Sequence, residues 1–214
     1  FIPSILLFFQ PDLGSVIIIL GLWIGILLIS GIKFRHFLIM ALCGVLLFLF
    51  AWNYILFEYQ KTRIVAFFQP KDPLGISWSQ NQAKIAIGSG GIFGKGFGSG
   101  SQSKLGFLPE PQTDFIFAAI AEEFGLVGVF TLLSFLFVVI WRIIKIALNS
   151  QNNFPRLFAA GFALLLIFKI FINIAMNLGL IPVIGIPLPF ISYGGSSLIV
   201  NFIGLGILQS IKTH

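Results

Sequence analysis

Long apolar runs dominate this sequence, and five of them are candidates for helices that cross a lipid bilayer. The runs are Val16–Ser30, Phe37–Phe57, Phe115–Ile140, Leu157–Leu178 and Ser197–Ile211. A helix needs ~20 apolar residues to cross the hydrocarbon core. Only 9% of the residues are charged, whereas soluble domains carry ~25%. The sequence therefore predicts an all-α fold, a polytopic transmembrane helical bundle.

The chain opens within an apolar run, Phe1–Phe9, that is typical of the end of an earlier span. We therefore expect residues 1–214 to form one membrane domain, the C-terminal part of a longer protein. The single cysteine, Cys43, excludes an intrachain disulfide. His36 and His214 lie beside predicted helix ends, so histidine catalysis in the long loop is excluded.

Basic residues in the short connections predict the orientation. They are Lys33, Arg35, Arg142, Lys145, Arg156 and Lys212. All of them fall on one side if the spans alternate, and no acid accompanies them. The positive-inside rule makes that side cytoplasmic. Residues 57–114 then form a large extracytoplasmic loop, and the C-terminus is cytoplasmic.

The second half of this loop, KIAIGSGGIFGKGFGSGSQSKLGFLPEPQTD, is rich in glycine and lysine. It contains neither a Walker A sequence nor a GxGxxG sequence, which argues against nucleotide binding. Its backbone N–H groups could still surround an anion, with Lys84, Lys95 and Lys104 adding positive charge. The alternative is a flexible connector. Trp78–Ile87 is predicted to be a short helix that Gly88 ends.

Two acids, Glu110 and Asp114, flank the start of the Phe115–Ile140 span. Thr113 and Asp114 could cap that helix. Alternatively, Asp114 is a general base at the membrane face. Both interpretations fit the spacing.

Deeper in the predicted membrane, Lys169, Asn173 and Asn177 recur at i+4 spacing and form one polar stripe. Glu122 and Glu123 lie at about the depth of Lys169 if each residue rises ~1.5 Å. We expect Glu122 to be the ion-pair partner of Lys169, since Glu123 points away from the face that carries Asp114.

Four stretches together resemble the SEDS family of RodA, FtsW and SpoVE proteins. They are QPDLGS, DPLG followed by QAKIAIGSGGIFGKG, LGFLPEPQTDFIFAAIAEEFGLVG and NLGLIPVIGIPLPFISYGGSS. The match covers the whole chain in order, and DPLG with GSQSKLGFLPE is most similar to the RodA branch. The sequence departs from the usual pattern at Gln112, where the family has histidine, at Ala83, where serine is common, and at Trp78-Ser79.

The resemblance implies a peptidoglycan glycosyltransferase of the bacterial cytoplasmic membrane that polymerises lipid II during cell-wall elongation and cell-shape control. Asp114 then corresponds to the family's catalytic aspartate. The candidate substrate-binding residues are Arg63, Lys84, Lys95, Lys104, Glu110 and Ser192. A divalent cation, Mg²⁺ or Mn²⁺, could help with the diphosphate, although the sequence shows no metal-ligand cluster.

The implied partners are lipid II, a class B penicillin-binding protein, other proteins of the elongation complex and membrane lipids, with no nucleic acid. Two alternatives stay open. One is a flippase or transporter of lipid-linked precursors, which the intramembrane Lys169, Glu122 and Glu123 favour. The other is a non-catalytic scaffold of the wall-synthesis complex.

Overall fold

The computed structural model describes residues 13–54, 61, 65 and 76–213. Within them the chain forms seven helices, which we number in chain order. They are α1 (Leu13–Ile29), α2 (Phe34–Tyr54), α3 (Ile76–Gly90), α4 (Ser101–Lys104), α5 (Ile116–Asn149), α6 (Asn153–Asn177) and α7 (Gly195–Thr213). The all-α prediction is confirmed.

Each of the five predicted spans overlaps one of the long helices, although α5 continues past the predicted end, Ile140, to Asn149. Three of these, α5, α6 and α7, are long and apolar enough to cross a membrane. In α1 and α2 the apolar stretches are shorter, residues 14–29 and 35–46. The predicted tail Phe1–Phe9 lies outside the described residues.

The bundle is organised around α5 and α6, which make the most extensive contact of any helix pair in the described chain. Helix α3 packs on α5, α1 packs on α6, and α7 contacts both central helices. The largest core cluster joins α5, α6 and α7 through residues such as Ile143, Phe162, Leu166 and Leu208. A second cluster joins Ala83 and Ala86 of α3 to the start of α5.

Small residues let these helices approach closely, as is common in membrane bundles. A Cβ atom at Gly204 of α7 would overlap the ring of Phe162. On the other side of α6, Gly161 lies against Ile26 of α1. These positions are glycine because the neighbouring helix occupies the space of a side chain.

The contacts of α1 define two ends of the bundle. Gly14 lies against Ile184, close in the chain to the segment that contacts Asp114, whereas Ile26 lies against Gly161 near the start of α6. We call the first end the Asp114 end. The opposite end, the basic end, carries the turn after α1, the α5–α6 connection and the end of α7, with all six basic residues that predicted the orientation.

Helix α5 is broken near the Asp114 end. Gly125 has φ 65° and ψ −160°, far from helical values. Only glycine adopts such angles readily. The break leaves main-chain carbonyl and N–H groups without partners inside the helix.

Helix α3 is longer than predicted. It continues through Gly88 and ends at Gly90. The next residue, Gly91, has a positive φ of 57°. A glycine within a helix lowers its stability but need not end it, whereas the left-handed residue after Gly90 does.

Candidate active site

Asp114 lies in the turn that leads into α5 and is half-buried there. Its main-chain carbonyl accepts hydrogen bonds from Nδ2 of Asn173 (3.0 Å) and Nδ2 of Asn177 (3.1 Å). A Cβ atom at Gly185, where φ is +77°, would lie 3.4 Å from Oδ2 of Asp114. The carboxylate therefore lies beside the backbone of the loop between α6 and α7, and α6 fixes the turn that carries it.

The two asparagines are fully buried and connect three segments. Asn173 also donates to the carbonyl of Ile186 (2.8 Å), and Oδ1 of Asn177 accepts from the N–H of Ala118 (3.2 Å). Ala118 is in the first turn of α5, where N–H groups lack partners within the helix. The Asn177 side chain of α6 thus caps the N–H group of Ala118. The sequence had suggested Thr113 and Asp114 as the caps of this helix.

Ser192 holds the same turn from the other side. Its hydroxyl donates to the carbonyl of Thr113 (2.6 Å) and accepts from the N–H of Leu188 (2.7 Å). The N–H of Tyr193 donates to the carbonyl of Gln112 (2.8 Å). Ser192 is buried, so its hydroxyl positions the main chain next to Asp114. Its direct contact with substrate stays a prediction.

Glu110 begins the turn in an uncommon conformation. Its φ is 46°, a left-handed value that is uncommon outside glycine, asparagine and aspartate. Its carbonyl accepts from the N–H groups of Thr113 (3.2 Å) and Phe115 (3.3 Å). The exposed carboxylate lies 3.5 Å from Oγ1 of Thr113. Glu110 and Asp114 therefore belong to one hydrogen-bonded turn.

The glycine-rich loop fills the break in α5. Four main-chain hydrogen bonds join them: Lys95 N to Glu122 O (3.0 Å), Gly96 N to Glu123 O (3.0 Å), Leu126 N to Gly91 O (3.0 Å) and Val127 N to Ile92 O (3.1 Å). These bonds supply the partners that the break removes from the helix. The loop is therefore a built part of the site, and the alternative of a flexible connector is wrong for this stretch.

Several glycines of the loop are required by this close approach. A Cβ atom at Gly90 would overlap the carbonyl of Ala121, and one at Gly94 would overlap the carbonyl of Glu123. At Gly125 the added atom would meet the backbone of the loop itself. The glycine content predicted an anion-binding nest, but here it allows backbone-to-backbone packing.

Glu122 is the buried charge that anchors the loop, with an exposed fraction of 0%. Its carboxylate accepts five hydrogen bonds: from Lys95 Nζ (2.9 Å), Ser101 Oγ (3.2 Å), Gln102 N (2.9 Å), Ser103 N (3.1 Å) and Ser103 Oγ (3.1 Å). A buried carboxylate needs such partners. The anion that the loop binds is thus a side chain of the same protein.

The expected pairing of Glu122 with Lys169 is wrong. Glu122 forms its ion pair with Lys95, while Lys169 is half-buried in α6 and has no ion-pair partner within the described part of the chain. The break at Gly125 and the four-residue helix α4 cause this outcome, because they bring the loop over Glu122. Depth along ideal helices could not reveal that contact.

The remaining predicted cations differ in their surroundings. Lys84 is exposed on α3, and the end of its side chain lies against Gly179 after α6. Lys104 is exposed on α4. Arg63 lies outside the described residues. Of the three lysines predicted to surround an anion, Lys95 has an ion-pair partner, whereas Lys84 and Lys104 are exposed at the surface.

Two grooves adjoin the Asp114 turn, and they share Gln112 and Ile116 as lining residues. One has a volume of about 540 Å³ and is lined by apolar residues such as Phe97 and Phe124, with Lys104 among its polar lining residues. The other has a volume of about 390 Å³ and lies beside the start of α7. Both recesses are largely apolar, and the residues that line both of them lie two positions before and two positions after Asp114 in the chain.

Sequence reasoning missed the buried Gln80. Its Nε2 donates to the carbonyls of Ile181 (2.6 Å) and Met176 (3.2 Å), which ties α3 to the end of α6. A polar residue in the middle of the α3 sequence, between Trp78 and Ala83, was the available signal. Polar and apolar residues are mixed in the sequence around residue 80. Their pattern therefore does not show whether the side-chain amide of Gln80 is buried or solvated.

The family model for FtsW, RodA and SpoVE, described as "Cell cycle protein", matches residues 1–214. Peptidoglycan glycosyltransferase MrdB of Escherichia coli K12 is 45% identical over all of this chain and 58% of its own length. Stage V sporulation protein E of Bacillus subtilis is 39% identical over 96% of this chain and 56% of its own length. The chain thus spans a little over half the length of these relatives.

Two solved structures show the same arrangement. A chain from a peptidoglycan synthase complex, described for its coordination of polymerization and crosslinking, matches with a TM-score of 0.74 and 33% identity, over 95% of this chain and 56% of that one. The rod shape determining protein RodA of Thermus thermophilus matches with a TM-score of 0.61 and 31% identity, over 96% and 51%.

Proposed function

The chain belongs to the FtsW/RodA/SpoVE family, and from the geometry around Asp114 we propose that it polymerises lipid II into peptidoglycan glycan strands. The observation that carries this proposal is the Asp114 turn. The turn carries the half-buried Asp114 between Gln112 and Ile116, which line two apolar grooves, and it is held by three buried side chains, Asn173, Asn177 and Ser192.

The proposed reaction joins two lipid-linked sugars. Asp114 takes the proton of the acceptor hydroxyl, whose oxygen forms a bond to the anomeric carbon of the donor. The bond between that carbon and the diphosphate oxygen breaks, and the lipid diphosphate leaves. Glu110, in the same turn, could stabilise positive charge on the donor sugar.

The fixed turn suits such a base. Two bulky substrates must meet at one atom, and orientation can lower the barrier by several kcal/mol when reacting groups are held in place. The two grooves meet at Gln112 and Ile116, next to Asp114 in the chain. We propose that each groove accommodates one lipid-linked substrate, with its sugar directed to the turn.

Exposed cations are available for the diphosphate leaving group. Lys104 lines the larger groove, and Lys84 lies beside the loop after α6. We propose these two as the diphosphate ligands, because Lys95 is already paired with Glu122. Arg63 stays a prediction. So does a divalent cation, and the described residues contain no group of three ligand side chains that could hold one.

The proposed orientation puts the Asp114 end outside the cytoplasmic membrane. All six basic residues of the short connections lie at the other end of the bundle, which the positive-inside rule assigns to the cytoplasm. Partnership with a class B penicillin-binding protein and with other elongation proteins is likewise proposed. Its support is the match to a chain of a peptidoglycan synthase complex.

The flippase alternative was favoured by the intramembrane charges of Lys169, Glu122 and Glu123, and one of these, Glu122, forms its ion pair with Lys95 of the glycine-rich loop. Reconstitution of the full-length protein with lipid II in liposomes tests the proposal directly. We expect glycan polymer from the wild type, whereas lipid movement across the bilayer without polymer would overturn the assignment.

Asp114→Asn provides the decisive variant. The amide keeps the shape of the side chain but cannot act as a base, so we expect polymer formation to fall by at least ~100-fold. The comparison variant is Glu110→Gln in the same turn, for which we expect a smaller loss. Equal thermal stability of both variants must accompany the result. Near-normal polymerisation by Asp114→Asn would contradict the catalytic role.

A further inference from the structure

The basic end of the bundle contains a recess that the proposed reaction does not use. It has a volume of about 860 Å³ and lies where the end of α5, the start of α6 and the end of α7 meet. Its lining includes Arg142, Lys145 and Lys212, together with amide side chains such as Asn149 and Gln209. Asp114 is at the other end of α5, so this recess is a separate site.

The charge in this recess is not neutralised by the described chain. No acid follows Glu123 in the sequence, and none lines the recess. The three cations form no ion pair with any described residue. Lys145 lies with Nζ 5.9 Å from the ring centroid of Trp141, which holds the ammonium group near the recess through a cation–π contact.

Three side-chain amides of the recess also lack partners within the described chain. The side-chain amides of Asn149, Asn152 and Gln209 make no hydrogen bond within the part of the chain that the structure describes. Arginine and lysine bind phosphate oxygens, arginine often through two N–H groups at once. The amide N–H groups add uncharged donors. This combination suits a phosphate-bearing ligand.

Two exposed apolar side chains are next to lining residues of the recess in the sequence, and they suit a ligand that carries acyl chains. Leu148 is 77% exposed and Phe154 is 79% exposed, and both adjoin the lining in the sequence. Trp141, half exposed, is of the type that lies at the level of lipid headgroups.

We propose that this recess binds the headgroup of an anionic glycerophospholipid in the leaflet at the basic end. The phosphate contacts Arg142, Lys145 and Lys212, and the acyl chains lie along Leu148 and Phe154. Basic recesses between transmembrane helices are suited to such lipids. The bound lipid joins the ends of α5, α6 and α7, so its binding stabilises the bundle.

The test compares two charge-matched double variants of the full-length protein. Arg142→Gln with Lys212→Gln removes one arginine and one lysine from the recess. Lys33→Gln with Arg35→Gln removes the same charges from the end of the α1–α2 connection and the first turn of α2, at the same end of the bundle. Titration with cardiolipin, followed by native mass spectrometry, measures the bound lipid, and phosphatidylcholine serves as the neutral lipid.

We expect the recess variant to bind cardiolipin about 25-fold more weakly, since each of the two cations contributes about fivefold, and the control to stay within about twofold of wild type. Cardiolipin should raise the Tm of the wild type and the control but not that of the recess variant. Equal losses in both variants would show attraction to general surface charge and overturn the site. An unchanged affinity in the recess variant would overturn it as well.

Two further arms separate the possible sources of phosphate. Inorganic phosphate at the concentration of cardiolipin should not displace the lipid. Displacement would show that the recess recognises phosphate without acyl chains, and would contradict the proposal of a lipid site. If the double variant fails to fold in phosphatidylcholine, Lys145→Gln replaces it, with an expected loss of about fivefold. Full retention of cardiolipin by Lys145→Gln would then contradict the proposal and favour an acidic protein partner.

Discussion

The two ends of this bundle treat polar side chains in opposite ways. At the Asp114 end, Asn173, Asn177 and Glu122 are fully buried and fully engaged in hydrogen bonds within the chain. At the basic end, Arg142 and Lys212 are exposed and make no ion pair within the described residues. Both ends are polar, but the buried network of the Asp114 end is hydrogen-bonded within the chain, whereas these two cations of the basic end have no ion-pair partner there.

The difference indicates what each end is built to do. A buried polar network that is complete fixes one conformation, and the low dielectric constant around it makes each bond costly to lose. Such a network holds the Asp114 turn ready for two substrates. Cations without partners in the chain do not fix the conformation of the bundle. They can stabilise it only when an external anion binds to them. Substitutions at the two ends should therefore affect different measurements.

The largest loss of stability should follow Glu122→Gln. The substitution keeps the size of the side chain but removes its charge, and five donors then face an amide that also carries hydrogens. Each buried donor that is left unpaired costs about 1–3 kcal/mol, and several of the five hydrogen bonds are affected at once. Thermal unfolding of the purified full-length protein should show a clear drop in Tm.

The control is Glu123→Gln, the same substitution one residue later. Glu123 is only half-buried and makes no ion pair within the described chain, so its Tm should stay close to wild type. If the two variants lose equal stability, Glu122 does not anchor the loop.

A smaller effect is expected for Asn177→Leu. The variant loses the hydrogen bonds to Asp114 O and Ala118 N, which leaves buried groups unpaired at a cost of about 2 kcal/mol. Because Asp114 is then less well placed, kcat should fall more than KM rises. Steady-state polymerisation kinetics and thermal unfolding measure the two effects.

Asn201→Leu is the matched control, since Asn201 is equally buried but its two amide atoms have no partner among the described residues. Replacing an unsatisfied buried amide by an apolar side chain of similar size should be neutral or stabilising. A comparable destabilisation in both variants would show that burial alone matters, and that the hydrogen bonds of Asn177 do not.

Gly185→Ala tests how closely the Asp114 carboxylate depends on its neighbouring backbone. An alanine at φ +77° costs about 1 kcal/mol, and its methyl group would contact Oδ2 of Asp114. Gly31→Ala has the same strain, with φ +79° and no atom within 4 Å of the added methyl group. Both variants should lose similar stability, but only Gly185→Ala should slow polymerisation. Equal polymerisation rates in the two variants would show that Gly185 does not affect the Asp114 carboxylate.

The helices were predictable from the sequence, whereas the network around Asp114 was only partly so. Apolar runs predicted the long helices because membrane thickness sets their length. The stripe of Asn173 and Asn177 was visible from its i+4 spacing. Its targets were not, because Asp114 O and Ala118 N are main-chain atoms that any sequence would supply.

The pairing of Glu122 failed for a different reason. The prediction assumed that α5 is an unbroken helix, in which position along the axis determines neighbours. Gly125 breaks the helix, and the glycine loop returns over it to bring Lys95 to Glu122. A glycine within an apolar run is compatible with an intact helix as well, so the sequence alone does not reveal the break.

The smallest expected effects separate two lysines that look equivalent in the sequence. Lys95→Gln removes the charged partner of buried Glu122 and should lower stability by about 1 kcal/mol, because Lys95 is partly exposed and four other hydrogen bonds to the carboxylate remain. Lys104→Gln removes an exposed cation from the larger groove. It should leave Tm unchanged and raise the KM for lipid II severalfold, since a cation near a phosphate contributes modestly when solvent is present. Thermal unfolding and polymerisation kinetics on both variants decide the matter. A drop in Tm for Lys104→Gln, or a changed KM with unchanged Tm for Lys95→Gln, would reverse the two assignments.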